Sequence, residues 1–199
     1  MLNLVLIRHG QTAGNLRHNY IGRTDEPLCE QGRQNLRQKL DDNIYPPVQQ
    51  VFCSPMLRCR QTAALLYPHL APQIIDDLRE CDFGEFENLN YQDLSGNPAY
   101  QAWIDSNGTL PFPGGESREQ FAARCVRGFE PVVADLLAQG VTAAALVVHG
   151  GTIMALLSAF TGGDYFDFAC DNGGGWQVSL DEQIWAAGHR FAAWQPLIK

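Results

Sequence analysis

The sequence has no excess of positive charge. Among 199 residues, 14 are Lys or Arg and 22 are Asp or Glu, giving a formal net charge of −8. A nucleic-acid or anionic-membrane binder would carry a basic face, so both partner classes are set aside. A small anionic ligand stays open, because a cleft can be locally positive inside an acidic protein. Long apolar runs are also missing. Nothing approaches the roughly 20 apolar residues of a membrane-spanning helix. The longest run, from Val141 to Val148, is interrupted by Thr142. The opening MLNLVLIRHG lacks a basic leader, and its apolar part ends early at Arg8, unlike a secretory signal. Cys29, Cys53, Cys59, Cys81, Cys125 and Cys170 show no CxxC or other metal spacing. Six reduced thiols and a cytoplasmic location are the expectation. Internal repeats and low-complexity tracts are absent too, which argues against solenoids and linkers.

What is present suits one globular domain, residues 1–199, with 45% hydrophobic and 18% charged residues. Leu2–Ile7 reads as a short buried strand ended by Gly10. Val51–Cys53, Ile74–Ile75 and Ala144–Val148 read as three more. Trp176–Leu180 and Arg190–Trp194 are candidate late strands. Helical patterns fall between them, at Glu30–Leu40, Pro55–Tyr67, Ser117–Gln139 and Gly151–Phe160. Ser54 is placed to cap the second of these, with Pro55 at its first position. Pro131 is expected to kink or divide the third. Strands alternating with helices predict a three-layer α/β/α sandwich around a mostly parallel sheet. Residues 88–116, rich in Asn, Gly, Pro and aromatics, read as a small irregular cap insert. Tyr100, Trp103 and Phe112 within it either line a pocket or form its own small core.

In such sheets ligands bind beyond the carboxyl ends of the strands. The residues waiting there are Arg8-His9-Gly10-Gln11-Thr12 with Asn15, then Ser54-Pro55-Met56-Leu57-Arg58, then Leu78-Arg79-Glu80, then His149-Gly150-Gly151. Arginine offers a planar, always-charged fork suited to phosphate oxygens. A neutral imidazole can attack phosphorus and hold the phosphoryl group covalently. Gly10 allows close backbone approach. The helix start after His149 adds free N–H donors. A glutamate can protonate a leaving alcohol and then take a proton from water. Each residue alone has a structural reading; their convergence on one sheet edge points to a phosphate site. No metal-ligand set accompanies them, and arginines with a second histidine can carry the charge stabilisation.

These motifs resemble the histidine phosphatase superfamily, of phosphoglycerate mutase-like fold. The resemblance runs in order through nearly the whole chain: Leu6–Thr12 with Asn15, Gly22–Leu28 with Gly32, Ser54–Ala63, Leu78–Glu87 and Val148–Gly151. It implies that His9 is the nucleophile that becomes phosphohistidine. Arg8, Arg58 and His149 would bind the phosphoryl oxygens, Asn15 would donate to the phosphate, and Glu80 would be the proton donor and later the base. Ile21, Gly22 and Arg23 would meet the rest of the substrate, with Gly10 and Gly150 beside the phosphate. The family needs no metal or other cofactor. Gln11 departs from the commoner glutamate, and Phe86 and Asn88 from tryptophan and glycine. Asp82 is a rival acid. Cys81 is read as a small hydrophobe before a reactive thiol. Nearby arginines are expected to keep Glu80 ionised until a phosphate dianion arrives.

The mutases of the family carry a Glu-Arg-His-Tyr stretch and a longer insert after the acid. Here Cys81-Asp82-Phe83-Gly84 follows, and the insert is short, which favours hydrolysis of a small phosphomonoester. The Phe-Gly-x-Phe-Glu run, Trp103 and Pro113–Ser117 resemble α-ribazole phosphatases of cobalamin assembly. A broad-specificity organic or sugar phosphatase, mutase-type phosphoryl transfer and a non-catalytic phospho-ligand binder are the alternatives. A homodimer is left open. Asn172–Gly175 is either a substrate-facing loop or a turn, and His18, His69 and His189 match no motif.

Overall fold

Side chains on a strand alternate between its two faces, so a strand buried on both faces needs two cores. The strand β1 (Leu2–Arg8) shows this directly. Leu2, Leu4 and Leu6 enter one hydrophobic cluster, while Val5 and Ile7 enter the other. The computed structural model describes residues 1–197. After β1 come α1 (Ala13–Leu16), α2 (Glu30–Asp41), β2 (Gln50–Cys53), α3 (Leu57–Leu66), β3 (Gln73–Ile74) and α4 (Pro98–Asp105). Then follow α5 (Arg118–Ala138), β4 (Ala143–Val148), α6 (Gly150–Thr161), β5 (Gly175–Leu180), α7 (Glu182–Gly188) and β6 (Ala193–Pro196).

The strands form one six-stranded sheet in the order β3-β2-β4-β1-β5-β6. The first four are mutually parallel; β5 and β6 are antiparallel. Phe121, Phe129 and Val133 of α5, with Leu156 and Phe160 of α6, pack on the face of Leu4 and Leu6. Leu36 of α2 and Cys59, Ala63 and Leu66 of α3 pack on the opposite face with Val5, Ile7 and Val147. The three-layer α/β/α sandwich and the mostly parallel sheet are therefore as the sequence predicts.

Several boundaries differ. Pro131 neither ends nor divides α5, which runs unbroken from Arg118 to Ala138. The ring removes one backbone donor, a local loss that the buried stripe of Phe129, Val132, Val133 and Leu136 outweighs. Ser54 does not cap α3: that helix begins at Leu57 after Met56, without a side-chain cap. The last strand lies at 193–196 rather than 190–194, because α7 and its left-handed cap at His189 occupy the preceding residues. Inside the insert, Asn97 caps α4 by accepting from the Ala99 and Tyr100 N–H groups, with Pro98 at the first position.

Register explains why the strand ends matter. Arg8 pairs with Val148 across β1 and β4, and Cys53 pairs with Val147 across β2 and β4. The next residues, His9, His149 and Ser54, therefore leave the sheet side by side. The His9 N–H still donates to the Val148 carbonyl at 3.0 Å, and that of Ser54 to Val147 at 3.1 Å.

Candidate active site

Above those ends lies a cleft of about 300 Å³. Arg8, His9, Asn15, Glu80 and Gly150 line one end. His9 is 4% exposed. Its Nδ1 sits 2.7 Å from the Gly10 carbonyl oxygen, which can only accept, so Nδ1 carries the proton. Nε2 keeps a free lone pair. Burial, then the charges of Arg58 and Arg8, hold this imidazole well below its usual pKa, against a raising pull from Gly10. The ring is thus neutral and oriented. The Gly10 N–H donates to Thr62 Oγ1 at 3.0 Å, anchoring the loop to α3.

Arg58 does not line the cleft but is buried at 0% exposure, near enough for its charge to act on His9, His149 and Glu80. Its guanidinium donates to the carbonyls of Thr24 at 2.7 Å, Gly22 at 2.9 Å and Ile21 at 3.3 Å. Its Nε has no partner, nor does the buried Nε of Arg8. Among the described residues, neither guanidinium forms a salt bridge within 4 Å; Arg8 donates instead to the Cys170 carbonyl, at 2.6 Å. Two unpaired cations beneath a cleft create a local positive field inside an acidic protein, which is the setting for an anion.

His149, also fully buried, has its ring 5.2 Å from that of His9 at an interplanar angle of 69°. Its Nε2 is 2.8 Å from Ser54 Oγ. Burial, followed by the charges of Arg58, His9 and Arg8, lowers its pKa well below the usual range. Ser54 was expected at a helix start and is instead the partner of this histidine. Asn15 closes a capping box on α1 with Thr12. Its Oδ1 accepts from the Thr12 N–H at 3.1 Å and from Asn172 Nδ2 at 3.2 Å, which leaves its own amide protons for the cleft.

Glu80 Oε1 accepts from the Cys81 N–H at 2.9 Å and Oε2 from the Gly151 N–H at 3.2 Å. Burial raises its pKa above the ordinary carboxyl value, against the lowering pull of those N–H groups, Arg58 and Arg8. The net shift is thus upward, where the arginines alone were expected to lower it: desolvation outweighs their charge. Asp82, the rival acid, pairs with Arg23 at 3.3 Å and accepts from the Gly84 N–H at 2.9 Å. Arg23 is mostly exposed and is not among the residues that line the cleft. Gly22 contributes its carbonyl to Arg58 rather than a surface to the cleft, and Ile21 lines the wall. Cys81 is a buried thiol whose pKa burial raises further, as a small hydrophobe would suggest. Asn172–Gly175 is a turn behind the site, where Asn172 and Gly173 bond the His9 carbonyl at 3.0 and 3.1 Å.

The other end of the cleft is aromatic, built by Tyr20, Phe83, Trp103, Phe112, Tyr165 and Phe166. Trp103 and Phe112 do both jobs proposed for them: their rings are 5.0 Å apart within the insert's core, and both face the cleft. Arg118, at the start of α5, lies over Tyr165 at 5.6 Å. Sequence reading missed Tyr20, Tyr165, Phe166 and Arg118, because no local pattern marks residues that meet only across the cleft.

Gly22 carries a stability prediction. A Cβ there would overlap the Cys81 carbonyl oxygen and press on Phe83. Gly22→Ala is expected to lose about 2–3 kcal/mol of stability by overpacking. It should also lower activity, since the displaced segments hold Arg58 and Glu80; denaturant unfolding with a parallel activity assay checks this.

This is an α/β protein with a histidine- and arginine-lined cleft at its strand ends. The model of the histidine phosphatase superfamily (branch 1) matches residues 4–189, and the chain belongs to that family. It is 36% identical over 169 residues to a 2,3-bisphosphoglycerate-dependent phosphoglycerate mutase from Gloeobacter violaceus, covering 79% of this chain and 74% of that relative. It is 34% identical over 131 residues to the adenosylcobalamin/alpha-ribazole phosphatase of Salmonella typhimurium, covering 63% and 64%. The crystal structure of the alpha-ribazole phosphatase from Shigella flexneri superposes with a TM-score of 0.76 at 28% identity, covering 92% of each chain. Family and phosphatase-named relatives together support a phosphatase, and so a hydrolase. Among the described residues, no helix is long and apolar enough to cross a membrane, and no His, Cys, Asp and Glu group has metal-binding geometry.

Proposed function

We propose that the chain, as one domain, hydrolyses phosphomonoesters in two steps through His9. Nε2 attacks phosphorus as the ester P–O bond breaks, and the protonated Glu80 gives its proton to the departing alkoxide. Water then attacks the phosphohistidine, Glu80 takes its proton, and inorganic phosphate leaves with neutral His9 restored. Arg8, Arg58, His149 and Asn15 offset the charge on the equatorial oxygens. The observation that carries this reading is the His9 tautomer, held by the Gly10 carbonyl with its other nitrogen free, in the field of two guanidiniums that have no carboxylate partner.

The substrate class we favour is a phosphate ester of a ring-bearing alcohol, and α-ribazole 5′-phosphate is the candidate. The support is the set of aromatic rings that line the same cleft as His9, which offers flat apolar surface, and the names of the relatives above. Phosphate release with EDTA present tests it, comparing kcat/KM for α-ribazole 5′-phosphate, phosphoserine, 3-phosphoglycerate and p-nitrophenyl phosphate. A strong preference for the first supports the assignment; similar slow rates on all four would leave the chemistry standing and overturn the substrate.

The acid role makes its own prediction. Glu80→Gln should lower kcat/KM for phosphoserine by ~10²-fold, the scale of general acid catalysis, and far less for p-nitrophenyl phosphate, whose phenolate departs unprotonated. The reactive form has His9 neutral and Glu80 protonated. The first pKa is lowered and the second raised, so activity should peak on the acid side of neutrality. It should fall as pH rises through the Glu80 pKa, and Glu80→Gln should flatten that limb. An unchanged alkaline limb would remove Glu80 from the role.

A further inference from the structure

Glu80 stands on a stretch with no helix or strand, between the short helical turns at 76–78 and 84–86. A general acid on a free loop would be misplaced much of the time. What holds it is Arg124 of α5. A guanidinium has five N–H donors, and Arg124 uses them on a single carboxylate and three backbone carbonyls. Nε donates to Glu116 Oε1 at 2.9 Å, and Nη2 to Glu116 Oε2 at 2.7 Å. Nη2 also reaches the Glu80 carbonyl at 3.2 Å, while Nη1 reaches those of Asp77 at 2.9 Å and Arg79 at 3.1 Å. Glu116 grips the other end of the same stretch. Its Oε2 accepts from the Asp82 N–H at 3.0 Å, and its own N–H donates to the Asp82 carbonyl at 3.0 Å.

The pair is shielded, with side chains 18% and 24% exposed, unlike the open surface pairs that contribute little. It also reaches the aromatic wall. The Phe112 N–H donates to the Glu116 carbonyl at 3.1 Å, and Phe112 lines the cleft. One ion pair therefore fixes, relative to each other, the acid and the surface on which the leaving group would lie.

We propose that Glu116 and Arg124 are positioning residues for the phosphatase reaction, forming a clamp that holds the Glu80 carboxyl at the leaving-group oxygen. The proposal rests on the reading of Glu80 as the acid. Neither residue touches the reacting atoms; both act through the backbone of residues 79–82.

The test uses Arg124→Lys, which keeps the charge without the fork, and Glu116→Gln, which keeps the shape and the acceptor for Asp82. Each is assayed on phosphoserine and p-nitrophenyl phosphate, alone and combined with Glu80→Gln, with Tm measured alongside. The expected result is a loss of about 10-fold or more on phosphoserine and less than about threefold on p-nitrophenyl phosphate. Added to Glu80→Gln, either change should cost nothing further on phosphoserine. Equal losses on both esters, or losses that add to that of Glu80→Gln, overturn the clamp and leave a purely structural ion pair. If Arg124→Lys does not fold, Glu116→Gln carries the same comparison. If Glu80→Gln itself is unselective between esters, the acid assignment fails and the clamp falls with it. If Glu80→Gln is selective and both clamp variants are not, only the clamp is overturned.

Discussion

His9→Asn is expected to lower kcat/KM at least ~10⁴-fold on every phosphate ester, the scale seen when a nucleophile is removed from a site that works as a unit. Asparagine is the informative replacement because its amide N–H can still donate to the Gly10 carbonyl, where Nδ1 donates at 2.7 Å. The loop keeps its bond and loses only the nitrogen that attacks. His9→Ala should lose as much activity and also some stability, since the ring is buried against His149. The covalent step has its own readout. Rapid quench into alkali, which preserves phosphohistidine, should give a peptide bearing one phosphoryl group at His9, and no such peptide from the Asn variant. If His9→Asn keeps more than a hundredth of the activity, or the label sits elsewhere, the two-step mechanism is wrong.

The layers of the fold were legible because their causes are local or periodic. β4 is buried from Ala144 to Val148, and such a run between two amphipathic helices has no place but the middle of a parallel sheet. Glycine after β1 and after β4 marked where those strands stop. The misjudged boundaries came from competition between local and tertiary effects. Pro131 has a strong local preference to break a helix, but the buried stripe on both sides of it keeps α5 whole. Ser54-Pro55 has the signature of a helix start, but the Ser54 hydroxyl meets His149, brought beside it by the pairing of β2 with β4. A helix cap can be read from neighbours in sequence; a partner 95 residues away cannot.

The same division runs through the site. Arg8, His9, Asn15 and Glu80 were legible because the topology delivers strand-end residues to one edge, and the structure gathers them around one cleft. Arg23 follows a motif in sequence, but the ion pair it forms with Asp82 could not be read from its neighbours. The direction of the Glu80 shift was misread because arginines nearby can be named from sequence, whereas the depth of burial that outweighs them cannot. Arg124 went unnoticed for a related reason. Nothing in the α5 periodicity separates a helix-surface arginine from one that donates to carbonyls 44 to 47 residues back, in the acid-bearing stretch.

Inorganic phosphate should raise the Tm of the protein and fail to raise that of Arg58→Met. Ligand that binds only the folded state stabilises it by about 2.7 kcal/mol at 100 times Kd. For a chain of this size that is roughly 5–10 °C. The physical source is the cost that the free protein carries: a guanidinium at 0% exposure, satisfied by three carbonyls but by no carboxylate, with its Nε unpartnered. Arg8 adds a second unpartnered Nε beside it. A phosphate dianion relieves both at once, so binding and stability draw on the same charge. In Arg58→Met the buried charge is gone, and so is most of what the anion would gain. Without phosphate the variant trades relief of that charge against three lost carbonyl bonds, so its Tm should move much less than its activity, which should fall by ~10²–10³-fold. The decisive quantity is the phosphate-dependent difference in each protein. A full rise in Arg58→Met would mean that the anion sits elsewhere, and that the buried Arg58 charge serves the fold and not the ligand.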